Sequence, residues 1–220
     1  MGRLINRERL ARAKKAKKGR MEDIREEGRN SFLKMPYVEI TLDSIGRRAG
    51  VKNGIASMYF RSREELFLEL LRDELDKWYF EIQEGLSVQP ARLSDQKLAG
   101  LLATTLAART SLTRFLSLAP VALEQNMEIM EAYRYHRWQR DRMVEIGGEL
   151  ERRSECLGPG DGLRLLHRIQ LMASGFQAYA DPRGSLAVNL IDPDFEDFRI
   201  SMEAEVAREV VQFLAVAASD

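Results

Sequence analysis

Cysteine occurs once in the 220 residues, at Cys156, and histidine twice, at His136 and His167. A single thiol excludes an internal disulfide framework and suits a reducing compartment, so a cytoplasmic location is expected. Neither histidine opens an H-x-x-x-H pair, and no Glu-x-x-His motif joins Glu124, Glu128 and Glu131 into a di-metal centre. No metal and no cofactor is therefore expected. Long apolar runs are missing as well. The longest stretch without a charged residue is Ile169–Ala180, well short of the roughly 20 residues a membrane-spanning helix needs. No apolar run and small-residue cleavage site follow the basic start, so no secretory signal is expected either. Strand signals are scarce too. No Asn-Gly or Asp-Gly pair lies between alternating apolar runs, and Val, Ile and Thr together number 26 against 50 for Leu and Ala. That balance favours helix over strand, and the expected fold class is all-α.

What is present in quantity is charge, and it is polarised. The 34 basic and 34 acidic residues cancel, yet residues 1–71 carry 17 basic against 10 acidic side chains and residues 72–220 carry 17 against 24. Most of the basic excess lies in the first 20 residues, from Arg3 to Arg20. Taken alone, such a run is a solvated tail. It gains meaning when the residues behind it form a nucleic-acid reader.

Helical periodicity places Ile24, Ser31, Phe32 and Met35 on a first helix that Pro36 stops. Thr41 offers an N-cap for a short second helix with Leu42, Ile45 and Ala49 turned inward. Gly50-Val51 makes a sharp turn. A third short helix is expected over about Lys52–Phe60, with Val51, Ile55, Met58 and Phe60 facing in. Ser62-Arg63-Glu64-Glu65 reads as a capping box, and Phe67, Leu71, Leu75, Trp78 and Ile82 line a long amphipathic helix behind it. Two short helices joined by a tight turn form a helix-turn-helix.

The run Thr41-Leu42-Asp43-Ser44-Ile45-Gly46-Arg47-Arg48-Ala49-Gly50-Val51, followed by Tyr59-Phe60-Arg61-Ser62-Arg63-Glu64-Glu65-Leu66, closely resembles the TetR family of transcriptional regulators. The departures are Gly46 where the family has Ala, Pro36 where a Gly is usual, Lys52 at the Ser cap position, Ser57 in place of a Tyr, and Arg63 in place of a Lys. The resemblance implies a homodimer on a near-palindromic double-stranded DNA operator, acting as a repressor. Thr41, Tyr59 and Arg63 are the expected contacts to the DNA backbone. Lys52, Asn53, Ala56 and Ser57 are expected on the outer face of the recognition helix, where Asn suits adenine, Lys suits guanine and Ala56 a thymine methyl. Arg47 and Arg48 extend that surface. The basic segment is read either as an arm along phosphates and the minor groove or as a helical extension, since Ala11, Ala13 and Ala16 favour helix.

Three regions follow from these readings: a basic arm over 1–21, a three-helix reader over 22–71, and a larger helical domain for effector binding and dimerisation over 72–220. In the last, one long helix is expected to carry Leu98 through Leu116, and a short one runs from Pro120 to Asn126. A charged helix spans about Glu128–Arg153, one begins at Asp161, and the last bears Phe195, Phe198, Met202, Val206, Val210 and Phe213. The resemblance assigns dimerisation to 161–179 and 195–217. It also implies a pocket for a small apolar effector, for which Trp78, Phe115, Met127, Met130, Tyr133, Trp138, Met172 and Phe176 are the candidates. Two rival classes stand beside this reading: a helical-bundle enzyme, and a protein docking on an anionic membrane surface through its basic arm. Gly158-x-Gly160-x-Gly162 follows a helix rather than a strand, which argues against a dinucleotide site.

Overall fold

The computed structural model describes residues 2–219, with side chains from Lys14 onward. The fold is all-α, and among the described residues there is no strand. Two compact units divide the chain, Met1–Leu70 and Leu71–Asp220, the division falling inside one helix.

The first unit opens on α1 (Gly2–Lys34), in which the basic segment and the first expected helix are one element. A single 3-10 turn, Tyr37–Glu39, leads to α2 (Leu42–Arg48). A second 3-10 turn covers Ala56–Met58, and α3 runs from Arg63 to Ser87. Ile24 and Phe32 of α1, Ile45 of α2, Phe60, and Leu66, Phe67 and Leu70 of α3 close into the core of this unit. The Phe32 and Phe67 rings sit 5.4 Å apart and tilted, a favourable aromatic geometry.

The second unit is built from the rest of α3, α4 (Asp95–Ala107), α5 (Thr110–Leu118), α6 (Ile129–Arg153), α7 (Asp161–Ala180), α8 (Gly184–Asn189) and α9 (Met202–Ala217). Helix α7 is central and packs on α5, α6 and α9, while α4 lies along α9. Trp78, Leu102, Phe115, Ile146, Leu165, Ile169, Val206 and Val210 are fully buried among them.

The structure differs from the sequence expectation in three places here. The long helix over Leu98–Leu116 is two, broken at Arg109, whose backbone leaves helical geometry. The break lets the Arg109 guanidinium turn to Glu81 of α3, with the buried Glu74 carboxylate 3.6 Å away. Residues 119–126 form a widened π turn and a 3-10 turn instead of one short helix. The last helix begins at Met202, not Phe195; Pro193–Phe198 is a separate 3-10 segment, and α8 occupies part of the expected loop before it.

Two glycines set the distance between α6 and α7. A β-carbon on Gly147 would stand 2.5 Å from the Leu163 backbone nitrogen, and one on Gly162 would strike the Gly147 carbonyl. The helices therefore cross backbone to backbone. One Glu151 carboxylate oxygen of α6 accepts from the backbone N–H of Gly160 at 2.9 Å and of Gly162 at 3.0 Å. It caps the start of α7, whose unpaired amides favour a negative charge.

Candidate nucleic-acid interface

Thr41 and Ser44 cap α2 reciprocally, each hydroxyl oxygen accepting the other's backbone N–H at 3.1 Å. Thr41 is exposed. Its oxygen is used as an acceptor inside the cap, and the Ser44 hydroxyl donates to the Thr41 carbonyl, so the Thr41 O–H remains free to donate outward. At the other end Gly50 adopts φ +71°. The Gly50 N–H donates to the Arg47 carbonyl at 3.2 Å and the Val51 N–H to the Gly46 carbonyl at 3.0 Å, the paired bonds of a Schellman ending. These two closures fix the length and exit direction of α2.

The segment after the turn corrects the expected helix over Lys52–Phe60. Gly54 takes φ +77°, a left-handed conformation that an α-helix cannot carry through. Helical geometry is regained only at Ile55 and lasts for one 3-10 turn. The interruption resets the phase of the side chains. Ala56, expected outside against a thymine methyl, is buried, packed where a β-carbon on Gly46 would lie 3.1 Å away. Met58, expected inside, is 75% exposed. Val51 and Ile55 are half-buried and Phe60 is buried. Lys52, Asn53 and Ser57 are exposed, as is Arg47. Met58 is thus the outward residue that periodicity missed, and the Asn53-Gly54 pair is the turn signal that reveals it.

Arg63 is also placed differently. Its guanidinium points into the unit, donating to the carbonyls of Tyr37 (3.1 Å) and Ile40 (2.6 Å) and to the Glu64 carboxylate (2.8 Å). It lies 4.2 Å from the centre of the Tyr37 ring. The Tyr37 hydroxyl donates to the same Glu64 oxygen at 2.7 Å. Burial, reinforced by the Glu64 bond, pushes the Tyr37 hydroxyl far above its usual range, so it stays protonated. Burial works against charge on Glu64, but hydrogen bonds from Tyr37 and Arg63 outweigh it and hold the carboxyl below the usual range. Arg63 accordingly staples the loop between α1 and α2 to the head of α3. Arg48 is likewise tied back to α1, to the Ser31 hydroxyl at 3.3 Å and within 4.0 Å of Glu27, although half of it remains exposed.

Half-buried Tyr59 has the ammonium of Lys17 5.9 Å from its ring centre. The basic extension of α1 thereby runs beside the segment that carries Lys52, Asn53 and Ser57. Residues 14–20 are all exposed. On a helix of 3.6 residues per turn, Lys14, Lys15, Lys17, Lys18 and Arg20 fan over more than half the circumference. That leaves no apolar face of the kind an interfacial membrane helix buries.

The candidates for an effector pocket separate into three sets. Trp78 and Phe115 are fully buried core, the Trp78 indole donating to Thr105 at 3.1 Å. Met130 and Tyr133 are more than half exposed on α6, which turns that face to solvent. Met127, Trp138, Met172 and Phe176 are half-buried, with Trp138 under the Arg72 guanidinium at 4.7 Å. Beside them lies a buried polar chain that sequence reasoning did not find. Gln139 donates to Gln170 (2.8 Å), and Gln170 donates to the Tyr79 hydroxyl (2.9 Å). Burial raises the pKa of both Tyr79 and Tyr135 strongly, so both are neutral. Among the described residues no group of three His, Cys, Asp or Glu side chains is placed to hold a metal. None of the described helices is long and apolar enough to cross a membrane. Burial, and then the neighbouring Asp95, raises the Cys156 pKa, the opposite of an activated thiol.

A family model described as a tetracyclin repressor-like C-terminal domain matches residues 72–215. The fatty acid degradation regulator FadR from Bacillus halodurans shares the fold with a TM-score of 0.54 at 12% identity, over 89% of this chain and 94% of that one. A protein from Syntrophomonas wolfei described as a TetR-family transcriptional regulator does so with a TM-score of 0.56 at 15% identity, over 92% and 96%. Among curated proteins none matches the sequence.

Proposed function

The chain belongs to the TetR family of transcriptional regulators, and from that footing we propose that it is a cytoplasmic repressor that grips a near-palindromic operator as a homodimer and lets go when a small apolar effector binds. The observation that carries the DNA reading is the short segment from Val51 to Phe60. Its inward side chains, Ala56 and Phe60, are held in the core, while Lys52, Asn53, Ser57 and Met58 stand outward beside the cationic helix of Lys17. In this reading Asn53 and Lys52 contact base edges, Ser57 and Met58 meet the groove floor or wall, and Thr41, Arg47 and Tyr59 fix the register on phosphates. Ala56 serves the packing beneath, Arg63 holds the loop between α1 and α2 in place, and Arg48 ties α2 to α1.

We assign the arm to 1–21, the reader to 22–71 and the remaining chain to effector binding and pairing of copies. Dimerisation runs through α7 and α9, whose outward Leu171, Tyr179 and Val216 are apolar side chains left for a partner. Two-fold symmetry then sets the readers about 34–36 Å apart, one duplex turn. The effector lies among Met127, Trp138, Met172 and Phe176, with the Tyr79–Gln170 pair as its polar neighbour. It releases DNA to the extent that it prefers the non-binding conformation.

A mobility-shift titration on the duplex upstream of the protein's own coding region, at 50 and 200 mM salt, tests the reading. Affinity is expected to fall about a thousand-fold or more across that interval if six or more phosphates are contacted. Asn53→Ala and Ser57→Ala are expected to alter discrimination between the operator and point variants of it. Equal binding to operator and unrelated duplex by the parent protein defeats the proposal.

A further inference from the structure

The segment joining α7 to α9 is short of shelter. It starts with Asp181 held by the Arg114 guanidinium. It ends at Arg199, whose guanidinium donates to the carbonyls of Leu190 (2.8 Å) and Ile191 (3.1 Å). Its two ends are thus tied down and Leu190 is buried, yet Val188, Ile191, Phe195 and Phe198 are exposed, Ile191 by 75% and Phe198 by 55%. Between them stand Asp192, Asp194, Glu196 and Asp197, all exposed. Among the described residues these four acids form no ion pair. An ordered strap that turns four large apolar side chains and four carboxylates to solvent has the composition of a contact surface.

A surface of opposite charge lies on α6. Ile129, Tyr133, Arg137, Arg140 and Val144 follow one another at spacings of four, four, three and four, a single helical stripe, and all five are exposed. Met130, Arg134 and His136 flank it, and Tyr133, His136, Arg137, Arg140 and Asp141 line a shallow depression of about 430 Å³. Asp141 lies on the stripe side, 3.9 Å from Arg137 and 3.8 Å from Arg140, and the Glu124 carboxylate stands 3.3 Å from the flanking His136. The stripe is therefore apolar at its start and net positive beyond, within a unit whose sequence is net acidic.

We propose that the strap of one copy lies across the α6 stripe of a second copy, Phe195, Phe198 and Ile191 covering Ile129, Met130 and Tyr133 while the strap carboxylates face Arg134, Arg137 and Arg140. The inference rests on the homodimer reading above. The strap links the two helices assigned to the interface, so it is continuous with that surface, and under two-fold symmetry the contact occurs twice. The charges select the partner face and the apolar side chains give the contact its strength.

Charge reversal on each side, followed by mixing, tests it. Asp194→Lys/Asp197→Lys and Arg137→Glu/Arg140→Glu are made in the full chain, and dimer dissociation is measured by sedimentation equilibrium. Each variant alone is expected to dissociate at least ten-fold more readily than the parent. An equimolar mixture is expected to regain parent-like dimerisation as a heterodimer, because both contacts are then complementary again. If the parent dimerises and either variant does so equally well, or if mixing restores nothing, the strap contact is refuted while the homodimer stands. A parent that remains monomeric across the concentration range removes the homodimer and the strap together.

Discussion

Arg63 stands one residue after a capping serine, where the family pattern places a cation near DNA, and its side chain turns inward to three acceptors and a ring instead. Sequence can name the residue type at such a position but not the direction of a long flexible stem, which is decided by where unpaired carbonyls lie. Here Tyr37 and Ile40 present theirs at the end of the α1–α2 loop. The Glu64 carboxylate holds the cluster together from its centre. Because folding keeps its pKa below the free value of about 4.3, its contribution is complete above that pH and disappears as pH falls through the lowered folded value. Glu64→Gln is expected to cost about 1 kcal/mol at pH 7, read from the urea midpoint, with variant and parent converging as the solution is acidified. A constant gap down to pH 3 contradicts the assigned charge. The register of Ala56 and Met58 failed for a different reason: a helix counted continuously from Lys52 puts Met58 inside, and one left-handed residue at Gly54 rotates everything after it.

Elements were legible where caps and punctuation were strong. Thr41, Gly50-Val51, Ser62 with Glu65, and Gly158-Pro159-Gly160 all mark real boundaries. The break at Arg109 has no such mark, since Ala108 and Arg109 are good helix formers and only the acids of α3 explain the turn. Gly147-Gly148 inside α6 was similarly silent, because a helical glycine gives no local hint of what approaches it. The crossing with α7 separates the two residues sharply. Gly147→Ala is expected to cost about 1–3 kcal/mol through overpacking against backbone. Gly148→Ala meets only the flexible end of Arg152 at 3.6 Å, and is expected to gain up to about 1 kcal/mol from helix propensity. Thermal denaturation of both variants should move in opposite directions; a parallel shift argues against the crossing.

For the molecule as a whole, the fold class, the reader motif and the helix order followed from composition, periodicity and the family-like run over residues 41–66. The proposed effector space and strap contact did not, because both depend on which faces of similar helices meet. The opposed charges of the two parts of the chain bear on how binding responds to salt. Removing residues 2–20 is expected to weaken binding to operator and unrelated duplex alike and to reduce the slope of log affinity against log salt by about 2–3. An unchanged slope excludes the extension from the phosphate contacts.

That reduction is smaller than a tally of lysines and arginines suggests, and the continuity of α1 is the cause. A limp tail follows the winding of a duplex and neutralises an oxygen at every turn, whereas a straight rod touches a cylinder along a tangent. Those of Lys14, Lys15, Lys17, Lys18 and Arg20 that face away from the duplex would then screen nothing. Curvature of the DNA, rather than the number of basic residues, then governs how many counterions the extension displaces.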